Sequence, residues 1–322
     1  MSRRSERWSP LLAARRAAVD ALIALKERLP EDAYRNPPTA VGYLLLVPAL
    51  VLVGFLFVGM LLLAWYSVLT FDPIEILVYE LTLENWRRLF ATTGYHVIFL
   101  RTIALTTVVT VLAVALALPY AYLTVRVRSA PLRKLLLVSL FVPFFTGVIV
   151  RAYGWLIVLG REGVVNAVLG VFGIGPVRFL ASEGAVVLAL LQIMLPFAIV
   201  MIAPAIQNVD RELELAASNL GADRLATFRR VVIPLAAPGI AGATIVVFTI
   251  TAATFAIPDL IGGGRVDFVA NLVYRTLFDS GNYPLAAATS VALVAVTSAV
   301  VVGIFRTIGS GTLGIRRGGG GG

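Results

Sequence analysis

Six apolar runs, each close to the ~20 residues that cross a bilayer, set the rhythm of the chain. They lie at about Val41–Trp65, Leu100–Leu123, Leu135–Leu159, Ala185–Ile206, Gly239–Ile261 and Leu285–Phe305. Polar residues gather in short stretches between them. This pattern predicts an all-α polytopic membrane protein with six transmembrane helices. Pro143 and Pro258 fall inside the third and fifth runs and predict kinks there. Two shorter patterns add minor helices. "TLENWRRLF" (Thr82–Phe90) predicts a short helix with Thr82 as N-cap and Glu84 in the first turn. "GREGVVNAVLGVFGIG" (Gly160–Gly175) is apolar but glycine-punctuated and too short to span. It predicts a re-entrant or surface helix on the external face.

Lysine and arginine then orient the runs. They crowd into the tail before Val41 (Arg3, Arg4, Arg7, Arg15, Arg16 and others) and into the second-to-third loop (Arg126, Arg128, Arg133, Lys134). They also crowd into the fourth-to-fifth loop (Arg211, Arg224, Arg229, Arg230) and the end (Arg306, Arg316, Arg317), and the remaining loops hold few. The positive-inside rule therefore places both termini and the fourth-to-fifth loop in the cytoplasm. Residues 1–40 read as a cytoplasmic tail. Its spacing of Leu11, Leu12, Ala18, Leu22, Ile23 and Leu25 fits an amphipathic helix on the inner leaflet, and fits a solvated or disordered tail as well. Residues 41–66 form the first span, 97–306 a core of five helices with the loop 208–234, and 307–322 a flexible cytoplasmic tail. The first apolar run starts too late and is too long for a secretory signal. No internal repeat is visible, so a fused second copy is not expected.

Composition sharpens this. The chain is 59% hydrophobic and 14% charged over 322 residues, with a mean hydropathy of +0.91. A soluble domain is about half apolar and a quarter charged, so the surplus apolar surface needs a bilayer around it. The net charge of +9 sits in tails and loops, where it suits orientation and anionic lipid head groups rather than nucleic acid. The absence of cysteine excludes disulfides, thiolate catalysis and cysteine metal sites. His96 is the single histidine and builds no cluster. No cofactor or metal site is expected.

One stretch, "VDRELELAASNLGADRLATFRRVVIP" (Val209–Pro234), is densely charged amid apolar neighbours. Asp210 is placed to N-cap a helix from Arg211, with Glu212 and Glu214 in its first turn. Leu213, Ala216, Ala217 and Leu220 share one face, which the alanines make nearly flat. Gly221 is suited to a left-handed residue that ends the helix. A second helix then begins near Asp223 with Leu225, Phe228 and Val232 on its apolar face, and Pro234 stops it before the fifth span. The element reads as helix, sharp turn, helix, and also fits any capped loop.

The alanine pair, Gly221, Ala222, Asp223 and the ending Val231-x-Ile233-Pro234 resemble the signature loop of ABC-importer permeases. That signature runs Glu-Ala-Ala, three residues, Gly, nine residues, Ile-x-Leu-Pro. The chain departs at Leu215, where the signature has its acid. Glu214 sits one residue earlier, so either Glu214 substitutes or the acid is dispensable. "LTLENWRRLF", "VPFFTGVIVRAYGWLIVLGREGVVN" and "FAIPDLIGGGRVDFVANLVYRTLFDSGNYPLAAA" also resemble spermidine/putrescine-type permeases, and the likeness runs from about Val41 to Arg306. The resemblance implies a type I ABC importer permease that moves a small solute by alternating access. It implies that the loop docks on an ATP-binding subunit through Glu214, Ala216, Ala217, Gly221, Ala222, Asp223 and Pro234. The implied partners are two ATP-binding cassette subunits, a second permease chain (a paralogue in this subfamily), an external substrate-binding protein and membrane lipids. The chain has no phosphate-binding GxxxxGK[ST] loop, so ATP and Mg are expected on the partner subunits.

A polyamine is the substrate the resemblance favours, with an opine, amino-acid-like, phosphonate, iron or sugar substrate as the alternative. Ionisable residues inside spans mark the candidate pathway. Arg151 and Asp259 sit near the outer ends of the third and fifth spans, counted at 1.5 Å per residue, where they line the pathway, or reach water, or pair with each other. Arg101, at the end of span two, is expected to reach only the interface. Tyr153 and Trp155 offer cation–π faces, which with Asp259 suit a polyamine, whereas Arg151 suits an anion. Gly239, Gly242, Ala243, Ala113 and Ala117 suit close helix contacts. A membrane enzyme lacks catalytic clusters in this sequence. A secondary transporter would need internal repeats and more buried acids.

Overall fold

The computed structural model of the protein describes residues 39–74 and 78–308, with side chains for 46–74 and 78–306. The expected helix in the N-terminal tail and the tail beyond residue 308 lie outside the described residues. The chain divides into two units, Met1–Leu62 and Leu63–Gly322. Helix α1 (Thr39–Tyr66), with Pro48 inside it, supplies the described part of the first unit as far as Leu62, and its last turn falls in the second. Its side chains from Leu46 onward stay exposed, as expected of a helix with no polar face.

The second unit continues with an antiparallel hairpin, β1 (Leu69–Thr70) against β2 (Val78–Leu81), which the hydropathy pattern does not announce. Helix α2 (Glu84–Ala91) follows. Leu83, not Thr82, holds the N-cap backbone position, yet the Thr82 hydroxyl does accept the Glu84 N–H at 3.1 Å. The Asn85 amide donates to Ser67 and Leu69 carbonyls and fastens α2 to β1.

Three helices make the core: α3 (Thr93–Arg126), α7 (Glu183–Gln207) and α11 (Ala237–Ala252). Lipid gives apolar side chains no reason to leave it, so helices in a bilayer hold together by close packing. Small residues supply that here. Ala113, Ala117 and Ala121 recur one turn apart on α3 and are fully buried, and Ala189, Ala198 and Ala243 are buried with them. A β-carbon on Gly239 would collide with the Ala205 side chain, which shows how closely α11 approaches α7. The outer faces carry exposed Leu100, Val111, Leu116 and Leu188, where lipid belongs.

Four helices among the described residues are long and apolar enough to cross a membrane, and six crossings result if each of two bent pairs is one span. The third predicted span is such a pair, and it corrects a sequence expectation. Helix α4 (Ala130–Phe141) runs into a 3₁₀ turn at Val142–Phe145, then α5 (Val148–Val158) leaves at 102°. This is a break rather than a kink, placed where Pro143 removes a donor and Gly147 caps α5. The fifth span also differs. Its helix stops at Ala252, and α12 (Ala256–Gly262) starts anew after Ala253–Phe255. Pro258 lies in the first turn of α12, where a missing N–H is harmless, so it does not make the break. The Asn271 amide bridges this gap by donating to the Phe255 carbonyl. Helices α6 (Val164–Val171), α13 (Val269–Phe278) and α14 (Tyr283–Ile308) complete the unit. Asn166 fixes α6 through the Gly160 carbonyl and both backbone groups of Val177.

Candidate functional site

The charged stretch forms a helical hairpin at the end of the bundle where α3 and α7 both finish. Asp210 accepts the Glu212 N–H at 3.0 Å and caps α8 (Arg211–Asn219). Gly221 has φ of 87°, a left-handed conformation in which a β-carbon is strained. Around it the Ala222 N–H reaches the Ala217 carbonyl and the Gly221 N–H reaches the Ser218 carbonyl, the two closing bonds of a Schellman turn. Asp223 then accepts the Ala226 N–H at 2.6 Å and caps α9 (Arg224–Thr227). These three local expectations hold.

The second helix departs from expectation. After α9 the chain widens into a π-helical turn at Phe228–Val232 and continues through the short α10 (Ile233–Leu235). The segment then bends by 73° into α11 at Ala236. Pro234 therefore does not stop the helix. The preceding wide turn accommodates its ring and missing N–H, and the change of direction comes two residues later. Val232 is fully buried and Phe228 half-buried, but Leu225 is 62% exposed, so the predicted apolar face is not uniformly covered.

Glu214 turns inward. Its Oε2 accepts the Tyr122 hydroxyl at 2.8 Å, and its Oε1 lies 2.6 Å from Arg126 Nη2. That approach lies off the N–H directions, so the contact is ionic. The Nη2 protons go to the Val209 and Ile206 carbonyls at 2.7 and 3.3 Å. Arg126 thereby supplies positive charge to the carbonyls at and just beyond the end of α7 and neutralises Glu214 of α8. Both side chains are largely buried, at 17% and 12% exposure. Tyr122 also packs on Phe228 with ring centroids 5.0 Å apart. One residue pair on α3 thus ties both arms of the hairpin to α7. Sequence reading counts Arg126 only as an orienting charge and passes over Tyr122. Their i, i+4 spacing, which puts both on one face of the last turns of α3, is the signal that was available.

The other signature residues lie open. Ala216 and Gly221 are exposed, Ala217 and Ala222 half-buried, Asp223 and Pro234 exposed. Leu215 is 56% and Leu220 89% exposed. The pathway candidates are less gathered. Arg151, Tyr153 and Trp155 ride on α5, which packs against α12 carrying Asp259. Arg151 and Asp259 form no ion pair with each other, so of the alternatives for them mutual pairing is the one not realised. The 102° break and the gap at Ala253 also remove the straight-helix heights expected for them. Arg151 keeps a buried Nε without a hydrogen-bond partner. Arg101 is more engaged than a residue merely reaching the interface. It contacts Glu183 at 3.1 Å and the Arg265 carbonyl at 3.0 Å. Among the described residues no group of His, Cys, Asp or Glu is arranged to hold a metal.

A bundle of membrane-length helices with a charged, capped hairpin at one end is the form of a transport subunit, and sequence comparison agrees. The profile of the binding-protein-dependent transport system inner membrane component family matches residues 113–310, and the chain belongs to that family, as a type I ABC importer permease. It is 35% identical over 270 residues to the inner membrane ABC transporter permease protein YdcU of Escherichia coli, covering 79% of this chain and 85% of that one. It is 30% identical over 257 residues to the spermidine/putrescine transport system permease protein PotB of Haemophilus influenzae, covering 79% and 89%. The molybdenum transport system permease protein ModB of Mycobacterium bovis is 29% identical over 273 residues, covering 84% and 96%. A chain of the bacterial alginate ABC transporter, crystallised with an alginate-bound periplasmic protein, shares the fold at TM-score 0.72 and 19% identity, covering 87% and 96%.

Proposed function

We propose that this permease imports a polyamine, and that the hairpin 208–234 is where an ATPase subunit drives it. The observation that carries the coupling reading is the exposure of Leu215, Leu220 and Leu225 on a charged element outside the apolar spans. Leucines left open on such an element mark a surface that a partner covers. Their support is rigid, since Glu214, Tyr122 and Arg126 join the hairpin to α3 and α7. In this reading two ATPase chains bind ATP and Mg on the cytoplasmic side and close on each other. The closure draws the hairpins of this chain and a paralogous permease together, and the spans alternate between outward and inward access. An external binding protein delivers the solute, and both termini face the cytoplasm. Polyamine is favoured by the likeness to PotB and by Asp259 with the rings of Tyr153 and Trp155 on adjoining helices. ModB and the alginate transporter make molybdate and sugar the solutes to test against it.

The test is uptake by the reconstituted complex, with both permeases, both ATPases and the binding protein in sealed vesicles. Labelled spermidine should accumulate only with ATP, and putrescine but not molybdate should compete. Failure of the chain to co-purify with any ATPase sinks the coupling reading. ATP-driven uptake of molybdate or sugar in place of spermidine sinks the substrate reading alone.

A further inference from the structure

A cleft of about 540 Å³ opens between α8 and the last turn of α3. Four arginines line it, Arg126, Arg128, Arg211 and Arg224, against the single carboxylate of Glu214. That carboxylate is already taken by Arg126 and Tyr122. The residues Arg128, Arg211 and Arg224 are exposed, and their side chains form no hydrogen bond or ion pair among the described residues. The cleft therefore presents an unbalanced positive wall with unused donors. Leu123 and Leu215 complete it, at 55% and 56% exposure. A concave surface of one charge focuses its field on a small anionic group. The planar guanidinium fork matches a carboxylate in particular, through two parallel N–H bonds.

Resting on the docking reading above, we infer that this cleft receives a carboxylate side chain of the ATPase subunit. The arginines hold the acid, and Leu123 and Leu215 cover its aliphatic stem. A protein carboxylate fits better than a lipid head group because the apolar rim continues along the hairpin. Leu220 and Leu225 are exposed on its two arms. The polarity follows from the geometry. Of the two acids of α8, Glu214 is consumed inside the chain and Glu212 does not line the cleft, and position 215 is leucine, so the permease brings cations to this contact and the partner brings anions.

Two measurements test this. In nanodiscs of neutral phosphatidylcholine, the triple variant Arg128→Gln/Arg211→Gln/Arg224→Gln should bind the ATPase at least tenfold more weakly than the wild type. Its binding should also depend less on salt. The control Arg133→Gln/Lys134→Gln, which removes two charges outside the cleft, should leave both unchanged. The chain's lysines are Lys26 and Lys134, so Arg211→Lys places an amine at a new position. Zero-length carbodiimide should then join residue 211 to an aspartate or glutamate of the ATPase, identifiable by mass spectrometry. Unchanged affinity in the triple variant overturns the proposal, as does an Arg211→Lys complex that assembles without cross-linking. A loss seen only when phosphatidylglycerol is present overturns it in favour of a lipid head group. If the wild-type chain does not bind the ATPase at all, the docking reading has failed first.

Discussion

Glu214 is a carboxylate in a charged loop that spends its charge internally. Removing that charge leaves Arg126 buried without a counterion, and breaking a buried pair costs up to roughly 3–5 kcal/mol. Glu214→Gln should therefore lower the unfolding midpoint of the purified chain clearly, whereas Tyr122→Phe, which deletes one hydrogen bond, should cost only about 1 kcal/mol. A cycle with Arg126→Gln should show the two single losses failing to add. Gly221→Ala should cost about 1 kcal/mol through its positive φ and leave the ion pair intact, so thermal unfolding separates the two effects. Asp210, Gly221 and Asp223 were legible from the sequence because each acts on backbone within a few positions of itself. The bond from Tyr122 to Glu214 spans 92 positions, and no local pattern announces it. The missing acid at Leu215 therefore invites the idea that Glu214 substitutes on the docking face, which the inward turn of that side chain argues against.

At the level of elements, the apolar runs locate the helices well and describe their paths poorly. Hydropathy measures transfer into lipid, and a run stays apolar through a bend as easily as along a rod. The residues at Val142–Gly147 and Ala253–Phe255 are as greasy as their surroundings, so the breaks leave no mark in the pattern. Pro143 gave a hint of the first, and Pro258 pointed to the wrong place for the second. Packing was more legible, since of the five expected contact positions Gly239, Ala113, Ala117 and Ala243 meet neighbours closely, and Gly242 does not. The expected consequence is steric. Gly239→Val drives a branched side chain into Ala205 and should cost about 1–3 kcal/mol, while Gly242→Ala, with only the Met201 methyl at 4.0 Å, should be nearly neutral. Thermal stability in detergent distinguishes them.

For the whole molecule, the family was legible because it is written in a contiguous signature. The substrate was not, because the pathway candidates lie on segments whose directions the sequence does not give. If Asp259 serves a polyamine, Asp259→Asn should reduce spermidine uptake at least tenfold with ATP hydrolysis little changed, and undiminished uptake would remove it from the pathway. Arg126 grips the finish of α7, and Arg101, near the start of α3, grips Glu183 at the start of α7. These two rivets stand roughly 37 Å apart at 1.5 Å per residue. Between them α3 and α7 form a braced beam that neither slides nor splays easily. If access alternates as proposed, this beam serves as the stator, and the breaks at Val142–Gly147 and Ala253–Phe255 are the joints at which the third and fifth crossings bend.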